Sequence, residues 1–321
     1  MRKARQRAGL SSFAPSKGIF SMTPSTQTCL GQWAEDARLF ASRPGEGNDT
    51  ALTLIVADFE YSYDRDRHTG YKIAEGKAAE PKIRWCFHRV AAVSWMVLRL
   101  VPGKTVPEIE DPVVLTAETG SEKQMVQAFF DACRAQPEAI ITSWGGEAKD
   151  FAALRAAAMM HSLVVPAQLV DLHPHSRQRI DLCQTTSVAA PSVHLPEFAA
   201  ALAIPNKPSP SEDIGPLVEN EEWEKVSEQV LADVVTTTVI ALFQLSSLGQ
   251  VTIDRAMTLQ ALSERLQRSV PNSQFCTRTF APWARARHAE AGLRGAIYRA
   301  PLATGSVSSK RMHTNVEGEP A

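Results

Sequence analysis

Thiol chemistry is the first thing this sequence has little of. Its five cysteines, Cys29, Cys86, Cys133, Cys183 and Cys276, are scattered, and no two form a C-x-x-C pair. That spacing excludes a zinc-thiolate finger and a disulfide framework, and it fits reduced thiols in a cytoplasmic compartment. No apolar run reaches the roughly 18 residues of a membrane span, so no membrane partner is expected. There is no G-x-S-x-G, no P-loop and no G-x-G-x-x-G, which leaves hydrolase-elbow, nucleotide-hydrolysing and dinucleotide-binding readings without support. Internal repeats are missing as well.

An excess of either charge is also lacking: 34 Lys and Arg stand against 35 Asp and Glu. The chain as a whole is therefore no strongly basic nucleic-acid binder. The balance hides a pattern, however. Residues 1–50 carry 7 basic and 4 acidic side chains, residues 249–321 carry 10 and 5, and the middle, 51–248, carries 17 and 26. Acids concentrated between basic flanks make poor sense as a phosphate-binding surface unless some of them hold divalent cations, whose charge belongs in the count. The start is basic and serine-bearing, with no acid before Glu35. It reads as a mostly disordered segment over 1–50, with a transit peptide or a true start at Met22 as the alternatives.

Ordered structure is expected from residue 51. The run Ala51-Leu-Thr-Leu-Ile-Val-Ala57 reads as a buried strand ending at Asp58. Tyr61 to Arg84 is polar and reads as a loop, and Val90 to Val101 as the next strand. Ser121-Glu-Lys-Gln124 fits a capping box opening a helix that places Met125, Phe129 and Cys133 on one face. A strand over 139–143, a helix over 150–161 and another over 193–204 follow, then a Pro-rich loop and a long helix over 222–248 whose second half is nearly all apolar. Strands and helices in this order indicate an α/β layer fold with a mixed sheet over 51–248. Beyond 249 one short amphipathic helix (254–268) is expected, then a disordered basic C-terminal tail.

Three acidic sites stand out. Asp58-Phe-Glu60 ends the first strand, and residues two apart in a strand share a face, so both carboxylates project together. Paired carboxylates repel unless a cation neutralises them, and hard ions such as Mg²⁺ take oxygen ligands of this type. Asp150 follows a strand and a Gly turn and opens a helix. Asp233 lies in a helix that is turning apolar, where an unpartnered acid costs free energy; a metal is one partner, a place on the exposed stripe beside Glu224 and Glu228 the other. Asp171-Leu-His173-Pro-His175 has metal-ligand spacing, but Pro174 and polar surroundings favour a surface turn. Trp95 and Trp144 read as core.

Taken together, Asp58-Phe-Glu60, His88-Arg-Val-Ala-Ala-Val-Ser-Trp95, Thr142-Ser-Trp-Gly-Gly-Glu-Ala-Lys-Asp150, Arg179-Ile-Asp-Leu182 and Asp233-Val-Val-Thr-Thr237 resemble, in order and spacing, the Exo motifs of DEDD-type 3′→5′ exonucleases. Within that superfamily the chain is most similar to predicted exonucleases related to the proofreading domain of family B DNA polymerases. The resemblance implies a ribonuclease H-like mixed central sheet flanked by helices. It also implies two Mg²⁺ or Mn²⁺ ions held by Asp58, Glu60, Asp150 and Asp233, with Asp58 bridging. Such an enzyme would hydrolyse phosphodiesters at the 3′ ends of nucleic acid, single-stranded DNA being favoured and RNA possible, and release nucleoside monophosphates. The chain departs from the resembled pattern at Gln229, where a water-orienting Tyr usually stands, at Gly145, where Asn is usual, and at Lys149, where Phe is usual. Gln229 can hold a water by hydrogen bonding but cannot act as a base. These departures keep open an alternative, a catalytically weakened or inactive nucleic-acid-binding module on the same fold.

Overall fold

The computed structural model describes residues 51–297 except 174 and 175. Segments 1–50 and 298–321, expected above to be disordered, lie outside the described residues. β1 (Leu52–Tyr63) begins as the apolar run predicts and continues past Asp58 to Tyr63. Leu54, Ile55 and Val56 are fully buried, and each such side chain contributes about 1.5–3 kcal/mol. The stretch read as a loop instead holds α1 (Arg65–Glu75), capped by Asp64, whose carboxylate accepts from the Arg67 N–H. Only His68 of this helix is buried, which is why no apolar stripe betrayed it.

β2 (His88–Leu100) runs antiparallel to β1 along its whole length. The far edge of β2 is covered in two pieces, by β3 (Glu108–Ile109) and β4 (Val113–Thr116). α2 (Glu122–Ala135) opens with the expected capping box, Ser121 and Gln124 satisfying each other's backbone. β5 (Ile140–Ser143) lies parallel to β1 and leads into α3 (Asp150–His161). After the short α4 (Ala167–Val170) comes β6 (Arg179–Asp181), parallel to β5. α5 (Leu182–Ser187), α6 (Leu195–Ala201), α7 (Ile214–Glu219) and α8 (Trp223–Ser247) complete the expected region, α7 falling where a loop was read.

The six-stranded sheet has the order β3-β2-β1-β5-β6 with β4 beside β2, a mixed central sheet flanked by helices, the α/β layer arrangement expected from the element order. Strand alternation divides the core. Ile55, Ala57 and Phe59 pack against α2 and α3, whereas Leu54, Val56, Met96 and Leu98 pack against α8. By length and composition α8 is apolar enough to cross a membrane, but 78% of its most apolar window is buried inside the domain. It is the core helix.

The boundary expected at 248 is corrected by the packing. α9 (Arg255–Ser269) is the predicted short helix, capped by Asp254. A π-helical turn (Phe275–Phe280) and α10 (Ala281–Ile297) follow it where a disordered tail was expected. Leu259, Leu262, Leu266, Phe275, Phe280 and Ala284 are all buried in the same core cluster as α8.

Candidate metal centre

β1 carries Asp58 and Glu60 on the face that α8 covers, and α8 brings Asp233 down onto them. One carboxylate oxygen from each of the three lies within 4.8 Å of the others. Asp233 and Glu60 are buried, while Asp58 keeps part of its surface open to the cavity. Among the described residues no hydrogen-bond donor reaches Asp233 Oδ1. The other oxygen, Oδ2, accepts from Lys207 Nζ at 2.7 Å. The loop bearing Lys207 is tied to the same helix, since Thr236 Oγ1 donates to the Pro205 carbonyl at 2.9 Å.

Asp150 comes from the other side of the sheet, in the first turn of α3, where the helix dipole favours a negative charge. Its Oδ1 accepts from the Tyr61 hydroxyl at 3.0 Å and stands 3.5 Å from Lys149 Nζ. Tyr61 reaches it because strand alternation puts it with Ile55, Ala57 and Phe59 on the face that α3 covers. The Lys149 ammonium sits 4.6 Å from the centre of the Tyr61 ring.

Burial and mutual repulsion act together on these acids. Asp58 is raised well above the usual carboxylate range by burial, then by Asp233, Glu60 and Asp150. Glu60 is pushed up to about 7, by burial first and Asp233 second. Asp150 and Asp233 are raised by burial against the pull of Lys149 and Lys207 respectively. Burial alone would lower both lysines, yet the surrounding acids hold each above its ordinary value. A hard divalent cation fits Asp58, Glu60 and Asp233, because all three offer oxygen and one buried oxygen of Asp233 has no other partner among the described residues.

This charge balance predicts the pH behaviour of the metal-free protein. Glu60 takes up a proton in the folded state near pH 7 but in the unfolded chain only near pH 4.5. Between those values the folded state binds more protons, so stability is lost as pH rises. The thermal midpoint of metal-free protein should fall from about pH 5 to about pH 8. Glu60→Gln should flatten that slope and melt higher than the unmodified chain at the alkaline end. Identical profiles would remove Glu60 as the cause.

The turn before Asp150 is held by Asp181. Its carboxylate accepts from the N–H groups of Gly145 (2.9 Å), Glu147 (3.0 Å), Cys183 (3.0 Å) and Gln184 (3.4 Å). Gly145 has φ +77°, a conformation that Gly and Asn tolerate best, so the departure from Asn at this position preserves the backbone. A Cβ on Gly146 would come within 2.2 Å of Ser143 Oγ and 2.8 Å of the Phe151 ring. Glycine is required there for the helix to start against the strand.

Above the acids lies a cavity of about 550 Å³ bordered by Tyr61, Tyr63, His88, Trp144, Lys149, His194 and Lys207. Trp144 was read as core; it is only partly buried, and its Nε1 donates to the Val193 carbonyl at 3.2 Å, which sets the ring in the wall. Trp95 is buried as expected. Burial, reinforced by Lys149, lowers His88 to about 4, so this ring is neutral near neutral pH. Gln229 stands one turn before Asp233 as expected, but it is buried and does not border the cavity. Neither of its side-chain amide atoms has a hydrogen-bond partner among the described residues. Asp171 is exposed and accepts from the His173 N–H at 2.9 Å, as a surface turn would; Pro174 and His175 lie outside the described residues.

The structure thus brings Asp58, Glu60 and Asp233 together and sets Asp150 beside them with partners of its own. The sequence reading missed the two lysines. Lys207 had a signal, being a lone cation bracketed by Pro205 and Pro208 in an otherwise acidic stretch. Lys149 was visible only as a departure from an apolar position.

No family model and no curated protein matches this chain. Among solved structures it is similar to the family B DNA polymerase from the hyperthermophilic archaeon Pyrobaculum calidifontis. That likeness has 16% identity and a TM-score of 0.41, and it covers 68% of this chain and 29% of that one. It is similar also to E. coli exonuclease I in complex with a dT13 oligonucleotide, at 12% identity and a TM-score of 0.39, covering 68% of this chain and 46% of that one. A zinc-bound complex of the E. coli enzyme with single-stranded DNA matches at 14% identity and a TM-score of 0.34, over 62% and 41% of the two chains. The chain therefore spans less than half the length of these proteins.

Proposed function

We propose that this protein is a divalent-metal-dependent nuclease that removes nucleotides from the 3′ ends of single-stranded nucleic acid. The observation that carries this reading is the triad of Asp58, Glu60 and Asp233 oxygens within 4.8 Å of one another, under a cavity with aromatic walls. The three acids would hold a cation, which when bound supplies Lewis acidity toward a phosphoryl oxygen and acidifies a water. Lys207 fixes the Asp233 carboxylate, and Asp181 fixes the turn that delivers Asp150. Tyr63, Trp144 and the neutral His88 border the cavity, and unpaired bases would stack on aromatic rings there independent of base identity. The cavity has the volume of a small-ligand pocket, suited to one terminal nucleotide in single-stranded form. The 3′ polarity and the preference for DNA rest on the motif resemblance.

The alternative, a binding module without catalysis, draws on Gln229, whose amide does not border the cavity in which a water would have to be oriented. One experiment separates the two. Purified protein with Mn²⁺ or Mg²⁺ should shorten a 5′-labelled single-stranded oligonucleotide stepwise and release mononucleotides, and chelation should stop it. Binding of the oligonucleotide without shortening, in either metal, favours the module.

A further inference from the structure

We propose that the centre binds one divalent cation and that the Lys149 ammonium, fixed beside Asp150, stands where a second cation would otherwise sit. The inference rests on the metal-dependent reading above and deepens it. Three acids are mutually close enough to share an ion, and Asp150 is not among them. Its Oδ1 is engaged instead by the Tyr61 hydroxyl at 3.0 Å and by Lys149 Nζ at 3.5 Å. The ammonium is held from below as well, 4.6 Å from the Tyr61 ring centre, a cation–π contact that keeps it over the strand end. It borders the same cavity as Asp58 and Glu60.

Charge leads to the same count. Asp58, Glu60, Asp150 and Asp233 contribute four negative charges, and Lys149 and Lys207 return two positive ones. Asp181 also repels Asp150, but four backbone N–H groups offset its charge in part, and the count is of the six side chains just named. Two negative charges remain, which one divalent ion neutralises. A second divalent ion on Asp150 would face the Lys149 ammonium, 3.5 Å from the same carboxylate oxygen, in a partly dry site where repulsion is strong. The partly exposed Lys149 side chain (43% of its surface open) borders the cavity, where a phosphate oxygen would meet it.

The test counts ions and does not depend on turnover. Titration calorimetry of the full chain with Mn²⁺ should give one ion per chain, with the resolved hyperfine lines of an isolated Mn²⁺ in electron paramagnetic resonance. Lys149→Met, neutral and similar in length, should take up two, and its spectrum should broaden as neighbouring ions couple. Lys149→Gln should behave in the same way and serves if the Met variant does not fold. Two coupled ions in the unmodified protein would overturn the proposal while leaving the nuclease reading in place. One ion in both the unmodified and the neutral variants would overturn the role given to Lys149. If the unmodified protein binds no Mn²⁺, this proposal and the metal-dependent reading fall together.

Discussion

Asp58→Asn should abolish metal-dependent cleavage, by on the order of a thousandfold or more in kcat, since removing even a single preorganised hydrogen-bond donor from an active site costs 10²–10³. Asp58 is the acid that all three others repel, and burial and that repulsion together raise it well above the usual range. The amide keeps the shape of the carboxylate but cannot neutralise a cation. Its removal also relieves repulsion in the metal-free fold, so the variant should melt higher than the unmodified protein without metal and gain less when metal is added. Melting separates a lost ligand from a lost fold. A variant that keeps full metal-dependent activity would place the chemistry elsewhere.

Arg179→Met should destabilise the domain by about 3–5 kcal/mol, the range for breaking a buried ion pair by removing one partner. The Arg179 guanidinium donates from Nε to Glu147 Oε1 at 2.7 Å, with both side chains almost wholly buried. It also donates to the Gln168, Asp171 and His173 carbonyls, each at 2.7 Å. Removal takes the donor from the buried Glu147 carboxylate and from the Gln168 carbonyl, while the Asp171 carbonyl keeps a bond from Arg155 Nη2 at 3.3 Å. Against a typical total stability of about 5–15 kcal/mol the loss is large and readable by urea denaturation. The double variant Glu147→Gln with Arg179→Met should recover part of it, because no charge is then left unpaired. A loss under about 1 kcal/mol in the single variant would mean that this network is of the weak, solvent-screened kind.

Much of the acidic site was legible in the sequence. The two-residue period of a strand put Asp58 and Glu60 together, a Gly turn before a helix start located Asp150, and an acid in an apolar helix marked Asp233. All three signals are local or set by order along the chain. The lysines were illegible because each reaches the acids from a loop, and loops carry no periodicity that says where a side chain points. Tyr61 was hidden because β1 runs past Asp58 to Tyr63, beyond the apolar run that marks the strand. In the fold, α1 was missed because a helix with one buried residue shows no apolar stripe. α10 was missed because the π-helical turn before it interrupts the 3.6-residue period and because much of it is Ala and Arg. Gly145 illustrates the opposite error. Its φ of +77° turns what looked like decay of a motif into a conservative choice of backbone.

The helix that carries Asp233 is gripped on two sides. The sheet holds it through Leu54, Val56, Met96 and Leu98, and the C-terminal helices hold it through Leu259, Leu262, Leu266 and Phe280. Rolling α8 by even part of a turn would shear both contacts at once, and close-packed interiors resist such shear. The gap between Asp233 and the acids of β1 is therefore a gauge of fixed width, cut by the whole domain and not by the loops around the cavity. A flexible site adapts to ions of several radii, whereas a gap of fixed width would, on the metal-dependent reading, discriminate by size. Small ions of the Mg²⁺ and Mn²⁺ class should fill it, and the larger Ca²⁺, which prefers more ligands at longer range, should sit poorly.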